Sequence, residues 1–285
     1  MKIADKERII SNILLLTALS SIGALALITI FIFAEGLPVI LKTGILDFIF
    51  GMKWKPAAGI FSILPMIAGS FAVMAGAMIV SVPFALCCSI YLAEFAGDTA
   101  RKFIKPAIEL LAGIPSVVYG FIGVTVLVPF VKNYIGGNGF SVLSCSLVLG
   151  VMVLPTITSI SFDALRAVPA SYREGALALG ATRWQAVKMA VVPAAGSGII
   201  AAVILGMGRA IGETMAVMMV TGNAARMPLT LDSLIRPVRT MTATIAAEMG
   251  EVAQGSTHYH ALFGVGIALF VITFLINLAA ASAIF

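Results

Sequence analysis

The sequence predicts an all-α integral membrane protein of about six transmembrane helices. Three observations carry the prediction. Of 285 residues, 60% are hydrophobic and only 11% are charged, whereas soluble domains carry roughly 25% charged residues. The mean hydropathy of +1.09 points to lipid as the solvent. The charges are also bunched, leaving uncharged runs long enough for the ~20 apolar residues with which a helix crosses a bilayer. Barrel strands would be ~10 residues long and alternating in polarity, which these runs are not.

The spans follow from the gaps between charges. Met1–Arg8 is charged and precedes Ile9–Ala34. That run exceeds the ~7–15 residue apolar core of a signal peptide, so it reads as a retained anchor and first span. Pro56–Ala93 holds a loop and a second helix from about Phe61. Leu110–Val131 is the third span. Asn133–Phe162 holds the fourth, after the turn-forming Gly136-Gly137-Asn138-Gly139. Met189–Thr221 is the fifth, interrupted by Arg209 and Glu213, and Val252–Phe285 holds the sixth, from near Leu262. The chain thus reads as one transmembrane domain, 1–285, with hydrophilic connections at 163–188 and 222–260. Connections of that length are usually functional.

With the N-terminus in the cytoplasm, ten Lys and Arg residues face inward and seven outward, with Arg209 inside the membrane. The excess agrees with the positive-inside rule, makes 163–188 cytoplasmic and 222–260 extracytoplasmic, and places the chain in the cell (inner, cytoplasmic) membrane. The net charge of +5 is accounted for by lipid headgroups and orientation, so it does not point to nucleic acid. Cys87, Cys88 and Cys145 sit in apolar runs with no CxxC or Cys/His spacing and read as small packing residues. His258 and His260 alternate in a loop, a weak metal pattern. The chain has no GxSxG, HExxH or CxxC arrangement for an enzyme and no GxxxxGK[ST] phosphate loop.

The 163–188 connection carries turn and capping signals. Ser171 stands three residues before Glu174, a capping-box spacing that predicts a helix start. Gly180 can end that helix in a left-handed conformation. Thr182 can cap the next helix, which runs through Trp184 toward the membrane.

Span five places charge within the membrane. A mid-bilayer charge costs at least ~2.5–3.5 kcal/mol and seldom faces lipid. The i, i+4 spacing of Arg209 and Glu213 predicts that both lie on one helical face. Gly206, Gly208 and Gly212 would let a helix or ligand approach the backbone. Arg is suited to a tetrahedral oxyanion, because its planar fork gives two parallel hydrogen bonds and stays charged. Glu213 can accept a proton from protonated phosphate or hold Arg209 when the site is empty. Thr214 is an auxiliary hydroxyl. Gly113, Pro115 and Gly120 can bend or loosen span three.

Residues 169–193 resemble the EAA loop of ABC-importer permeases. Glu174, Ala176, Gly180 and Pro193 fall at the family's positions, while Gly175 replaces an Ala, Ala190 an Ile and Val192 a Leu. Glu109–Gly120, Gly208–Val217 and Thr240–Glu251 resemble the permeases of the phosphate-specific importers, closest to the PstC type. The resemblance implies a type I importer fold and transport of inorganic phosphate. It implies ATPase docking through Glu174, Gly175, Ala176 and Gly180, and a substrate pathway through Arg209, Glu213 and Thr214. It also implies a PstA-like second permease, two ATPase subunits that bind ATP and Mg, and an extracytoplasmic phosphate-binding protein; this chain holds no cofactor of its own. Molybdate, tungstate or sulfate is the alternative cargo. A non-transporting scaffold or sensor partner would need neither Glu174 nor Arg209.

Overall fold

A computed structural model describes residues 3–228 and 230–284. Lys2, counted above for orientation, and Phe285, the expected end of the sixth span, lie outside them. Among the described residues, five single helices and one bent pair are long and apolar enough to cross a membrane, six spans when the pair counts as one.

Helix α1 (Ile3–Thr43) continues well past Ala34 and carries Pro38 within it. Gly44, at φ +91°, turns the chain into α2 (Ile45–Phe50). A small antiparallel hairpin follows, β1 (Trp54–Lys55) paired with β2 (Ile60–Phe61). Hydrophobic periodicity does not signal strands of two residues.

Helix α3 (Leu64–Ile90) starts three residues after the expected Phe61, with Pro65 in its first turn, and runs into a π-type turn at Tyr91–Phe95. Proline is tolerated in the first turn because its missing N–H would be unpaired there anyway. The next element, α4 (Asp98–Ala112), is amphipathic and ends before the third span.

That span was expected from Leu110 but begins with α5 (Ser116–Ile122). It continues through a π-type turn into α6 (Val128–Tyr134). The reason for the later start is Pro115, which disfavours helical backbone at Ile114 and itself stands at φ −58°, ψ 139°.

After Gly136, Gly137 and Gly139, all at positive φ, comes α7 (Val142–Ala167). The Ser141 hydroxyl caps it, accepting from the Ser144 N–H at 3.2 Å. Helix α8 (Ala170–Ala178) and α9 (Arg183–Ala186) lead through a π-type turn into α10 (Val192–Ala194). A 69° bend at Ala195 then starts α11 (Gly196–Gly212). The chain closes with α12 (Met215–Val220), α13 (Met241–Glu248) and α14 (Thr257–Ile284). Helix α14 begins five residues before the expected Leu262, because two histidines and a Ser256 cap extend it into the polar run.

Helix α7 is the centre of the bundle: 61% of its most apolar stretch is buried, against none for α1. It runs parallel to α3, and glycines set their close approach. A Cβ on Gly76 would meet Ser146 Oγ at 2.2 Å, and one on Gly150 would meet Val80 and Ala77. Small residues at a helix contact let backbones approach where lipid gives no hydrophobic drive for association. On α11, Gly206 plays the same part against Ile157 and Val153 of α7. One apolar core therefore joins α3, α7, α11 and α12. A second lies at the hairpin end among α1, α2 and α14, and a third at the α8 end among α3, α4 and α7.

Candidate functional site

Two places concentrate polar chemistry. The first is the break between α11 and α12. Helix α11 stops at Gly212, Glu213 is extended (φ −69°, ψ 133°), and α12 starts at Met215. Arg209 therefore stands in the last helical turn, while Glu213 stands outside the helix.

The expectation that i, i+4 spacing puts both on one helical face is not met, since the helix does not continue through that spacing. Arg209 makes no ion pair among the described residues. Its Nη1 instead donates to Thr156 Oγ1 on α7 at 3.0 Å. Glu213 turns its carboxylate to the start of α12, where Oε1 accepts from the Ala216 N–H at 3.3 Å. Its backbone carbonyl accepts from Thr242 Oγ1 of α13 at 2.8 Å. Thr214 donates to the Gly212 carbonyl at 3.3 Å. All three expected pathway residues are partly exposed at this break.

A half-buried guanidinium with one neutral partner keeps most of its donors free for an anion. Discontinuous helices of this kind expose backbone polar groups within the bilayer, which is tolerated only beside protein or a cavity. Thr156 and Thr242 escaped sequence reading because neither carries charge. The signal that could have found Thr156 is its place after Pro155, in a polar interruption of an otherwise apolar span.

The second place is the foot formed by α8 and α9. Helix α8 begins directly after Pro169 without a side-chain cap, so Ser171 lies inside the helix and does not cap it as expected. Pro169, at φ −55° and ψ 144°, already makes the turn that a capping residue would make. Gly180 ends the helix at φ +84°, as expected, with the Ala181 N–H reaching back to the Ala176 carbonyl at 3.1 Å. Thr182 caps α9 through a complete capping box with Gln185.

Glu174, Gly175 and Gly180 are exposed and Ala176 is partly so. Leu177, Trp184 and Leu179, the last 90% exposed, surround them with uncovered apolar surface. A Cβ at Gly175 would touch nothing within 4 Å, so the alanine found there in the EAA pattern would fit. Arg173, between Tyr172 and Glu174, points into the body, where hydrogen bonding to Glu94 raises its already high pKa.

The two histidines each meet a carboxylate. His258 Nε2 lies 2.8 Å from Glu248 Oε2, and His260 Nδ1 lies 3.0 Å from Glu35 Oε2. Glu248 Oε2 also accepts from Trp54 Nε1 at 3.0 Å, and its other oxygen is bound by Arg239.

Residues 85–284 match the family described as binding-protein-dependent transport system inner membrane component. The chain belongs to this family of ABC-importer permeases. The permease is 44% identical over 263 residues to the probable ABC transporter permease protein YqgH of Bacillus subtilis, covering 90% of this chain and 84% of that one. It is 38% identical over 250 residues to the phosphate transport system permease protein PstC of Mesorhizobium japonicum (81% and 75% covered). It is 37% identical over 248 residues to PstC 1 of Mycobacterium tuberculosis (79% and 72% covered).

The resemblance to PstC-type permeases thus extends over most of the chain. Among solved structures, the permease fold matches the inward-facing MetNI methionine ABC transporter with a TM-score of 0.59 at 17% identity (81% and 98% covered). It matches the bacterial alginate ABC transporter, in complex with its pentasaccharide-bound periplasmic protein, with a TM-score of 0.59 at 16% identity (92% of each). The fold is that of a type I importer permease, a transport subunit and not an enzyme.

Proposed function

We infer that this permease forms one half of the translocation pathway of an ATP-driven importer of inorganic phosphate. The observation that carries the reading is Arg209, a membrane-embedded guanidinium with no carboxylate partner among the described residues and a hydroxyl beside it. Phosphate takes the free donors of that fork as parallel charge-assisted hydrogen bonds. Glu213, next to the same break, accepts a hydrogen bond from the remaining P–OH of monohydrogen phosphate, and Thr214 adds a hydroxyl. Relatives named PstC support phosphate as the cargo.

In this reading the N-terminus and the 163–188 connection face the cytoplasm, and α8 is the coupling helix. It docks on one of two ATPase subunits, which bind the ATP and Mg, through Glu174, Gly175, Ala176 and Gly180. The uncovered Leu177, Leu179 and Trp184 support that docking. The 222–260 connection faces outward toward a phosphate-binding protein, and a PstA-like permease completes the pathway.

The test is uptake of labelled phosphate, against molybdate and sulfate, by vesicles carrying the complete complex. Phosphate uptake is expected to exceed both, and Arg209→Ala is expected to abolish it with assembly intact. Normal uptake by an inserted Arg209→Ala permease would sink the pathway role. Glu174→Lys is expected to detach or uncouple the ATPase, and full substrate-stimulated hydrolysis in that variant would rule out the docking role.

A further inference from the structure

The foot is held to the body by a polar grip. Glu94 lies in the π-type turn that ends α3 and is only 8% exposed. A carboxylate so buried needs a charged, hydrogen-bonded partner. Arg173 of α8 supplies it: Nε donates to both Glu94 oxygens at 3.0 Å, and Nη2 donates to Oε1 at 2.6 Å. The rest of the guanidinium goes to α7. Nη1 donates to the Val168 carbonyl at 2.7 Å, and Nη2 donates to the Leu165 carbonyl at 2.8 Å.

Carbonyls at a helix C-terminus lack intrahelical partners and favour a cation. One side chain of the foot thus holds the ends of two spans. Arg183 of α9 grips the same turn from its backbone side, donating to the Glu94 carbonyl and standing 5.2 Å over the Phe95 ring. Arg101 closes it from α4, donating to the Leu92 carbonyl at 3.0 Å and the Ala96 carbonyl at 3.2 Å. Helix α8 itself buries no residue, so apolar packing does little to fix where it sits.

We propose that Glu94 and Arg173 are a positioning pair that carries movement of α8 into α3 and α7 together. The proposal rests on reading α8 as the ATPase-docking helix. Glu174, next to Arg173, presents the exposed contact, and Arg173 relays its displacement inward. Helix α7 carries Thr156, which holds Arg209, and α3 moves with α7 because Ser146 Oγ of α7 donates to the Val73 carbonyl of α3 at 3.2 Å. The grip therefore joins the foot to the element that positions the membrane arginine.

The experiment uses the whole complex in liposomes, with Glu94→Gln, Arg173→Lys and the double variant. ATP hydrolysis stimulated by the binding protein and uptake of labelled inorganic phosphate are measured in the same vesicles, along with co-purification of the ATPase. The ATPase should stay bound, while phosphate moved per ATP falls by about tenfold, the scale of one lost charge-assisted hydrogen bond. The double variant should be no worse than the poorer single, since the pair acts as a unit.

An unchanged ratio, or a parallel loss of hydrolysis, uptake and assembly, overturns the proposal. If Glu94→Gln fails to insert, Arg173→Lys, which keeps the charge but not the fork, gives the same readout. Glu174→Lys run alongside separates the two failures. Stimulated hydrolysis surviving in Glu174→Lys removes the docking reading itself. Loss of the ATPase in Glu174→Lys with a wild-type ratio in Glu94→Gln removes only the positioning pair.

Discussion

Thr156→Val isolates the contact that orients Arg209. Valine matches threonine in shape, so the packing of α7 is kept and only the hydroxyl is lost. The bond removed is a 3.0 Å donation from a guanidinium to Thr156 Oγ1. Hydrogen bonds to charged groups contribute about 1.5–3 kcal/mol. Both residues are partly exposed, so water replaces some of that, and within membranes side-chain bonds average nearer ~0.6–2 kcal/mol. A loss of about 1–2 kcal/mol remains, equivalent to roughly 5–30-fold in the population of the oriented guanidinium. Phosphate uptake by the reconstituted complex, measured below saturation, should fall by that factor. Thr156→Ser, which keeps the hydroxyl, should stay near wild type. Equal uptake by the Val and Ser variants would refute the idea that this bond organises the site.

Two further perturbations probe the hairpin end of the bundle. Glu248→Gln removes the charge that faces Arg239 and leaves Trp54 and His258 with a poorer partner; at 17% side-chain exposure the loss should be about 2 kcal/mol, discounted for solvent. It should appear as a lower thermal midpoint of the purified permease, and an unchanged midpoint would show that the network is not cohesive. Gly69→Ala would bring a Cβ within 2.4 Å of the Arg239 carbonyl, a backbone clash that should cost about 1–3 kcal/mol. Wild-type stability in that variant would mean that the 222–240 segment slides freely over α3.

Charge spacing made the spans legible because lipid tolerates few charges. The uncharged runs found six crossings, while their ends moved wherever backbone chemistry intervened. The start of α5 is set by Pro115, and α14 extends back into the polar part of the uncharged Val252–Phe285 run. Within the foot, Gly180 and Thr182 could be read correctly because their signals are local: a left-handed glycine and an oxygen three residues from an amide. Ser171 carried the same local signal and was overridden by Pro169 two residues earlier.

The break at Glu213 was not legible. Nothing in Gly212-Glu213-Thr214 forbids a helix, and the extended backbone is held by Thr242, from a segment distant in sequence. The Glu94–Arg173 grip was hidden for the same reason, since its partners lie 79 residues apart.

The 69° elbow at Ala195 makes the foot and α11 a bell crank. The short arm, Arg183–Ala194, lies with the foot, and the long arm carries Arg209 thirteen residues beyond Gly196. At 1.5 Å rise per residue that arm is about 20 Å long, so a swing of roughly 10° about the pivot displaces Arg209 by about 3 Å. That stroke is the length of one hydrogen bond. On the proposed pathway, a swing of that size would carry the guanidinium between Thr156 and a passing anion.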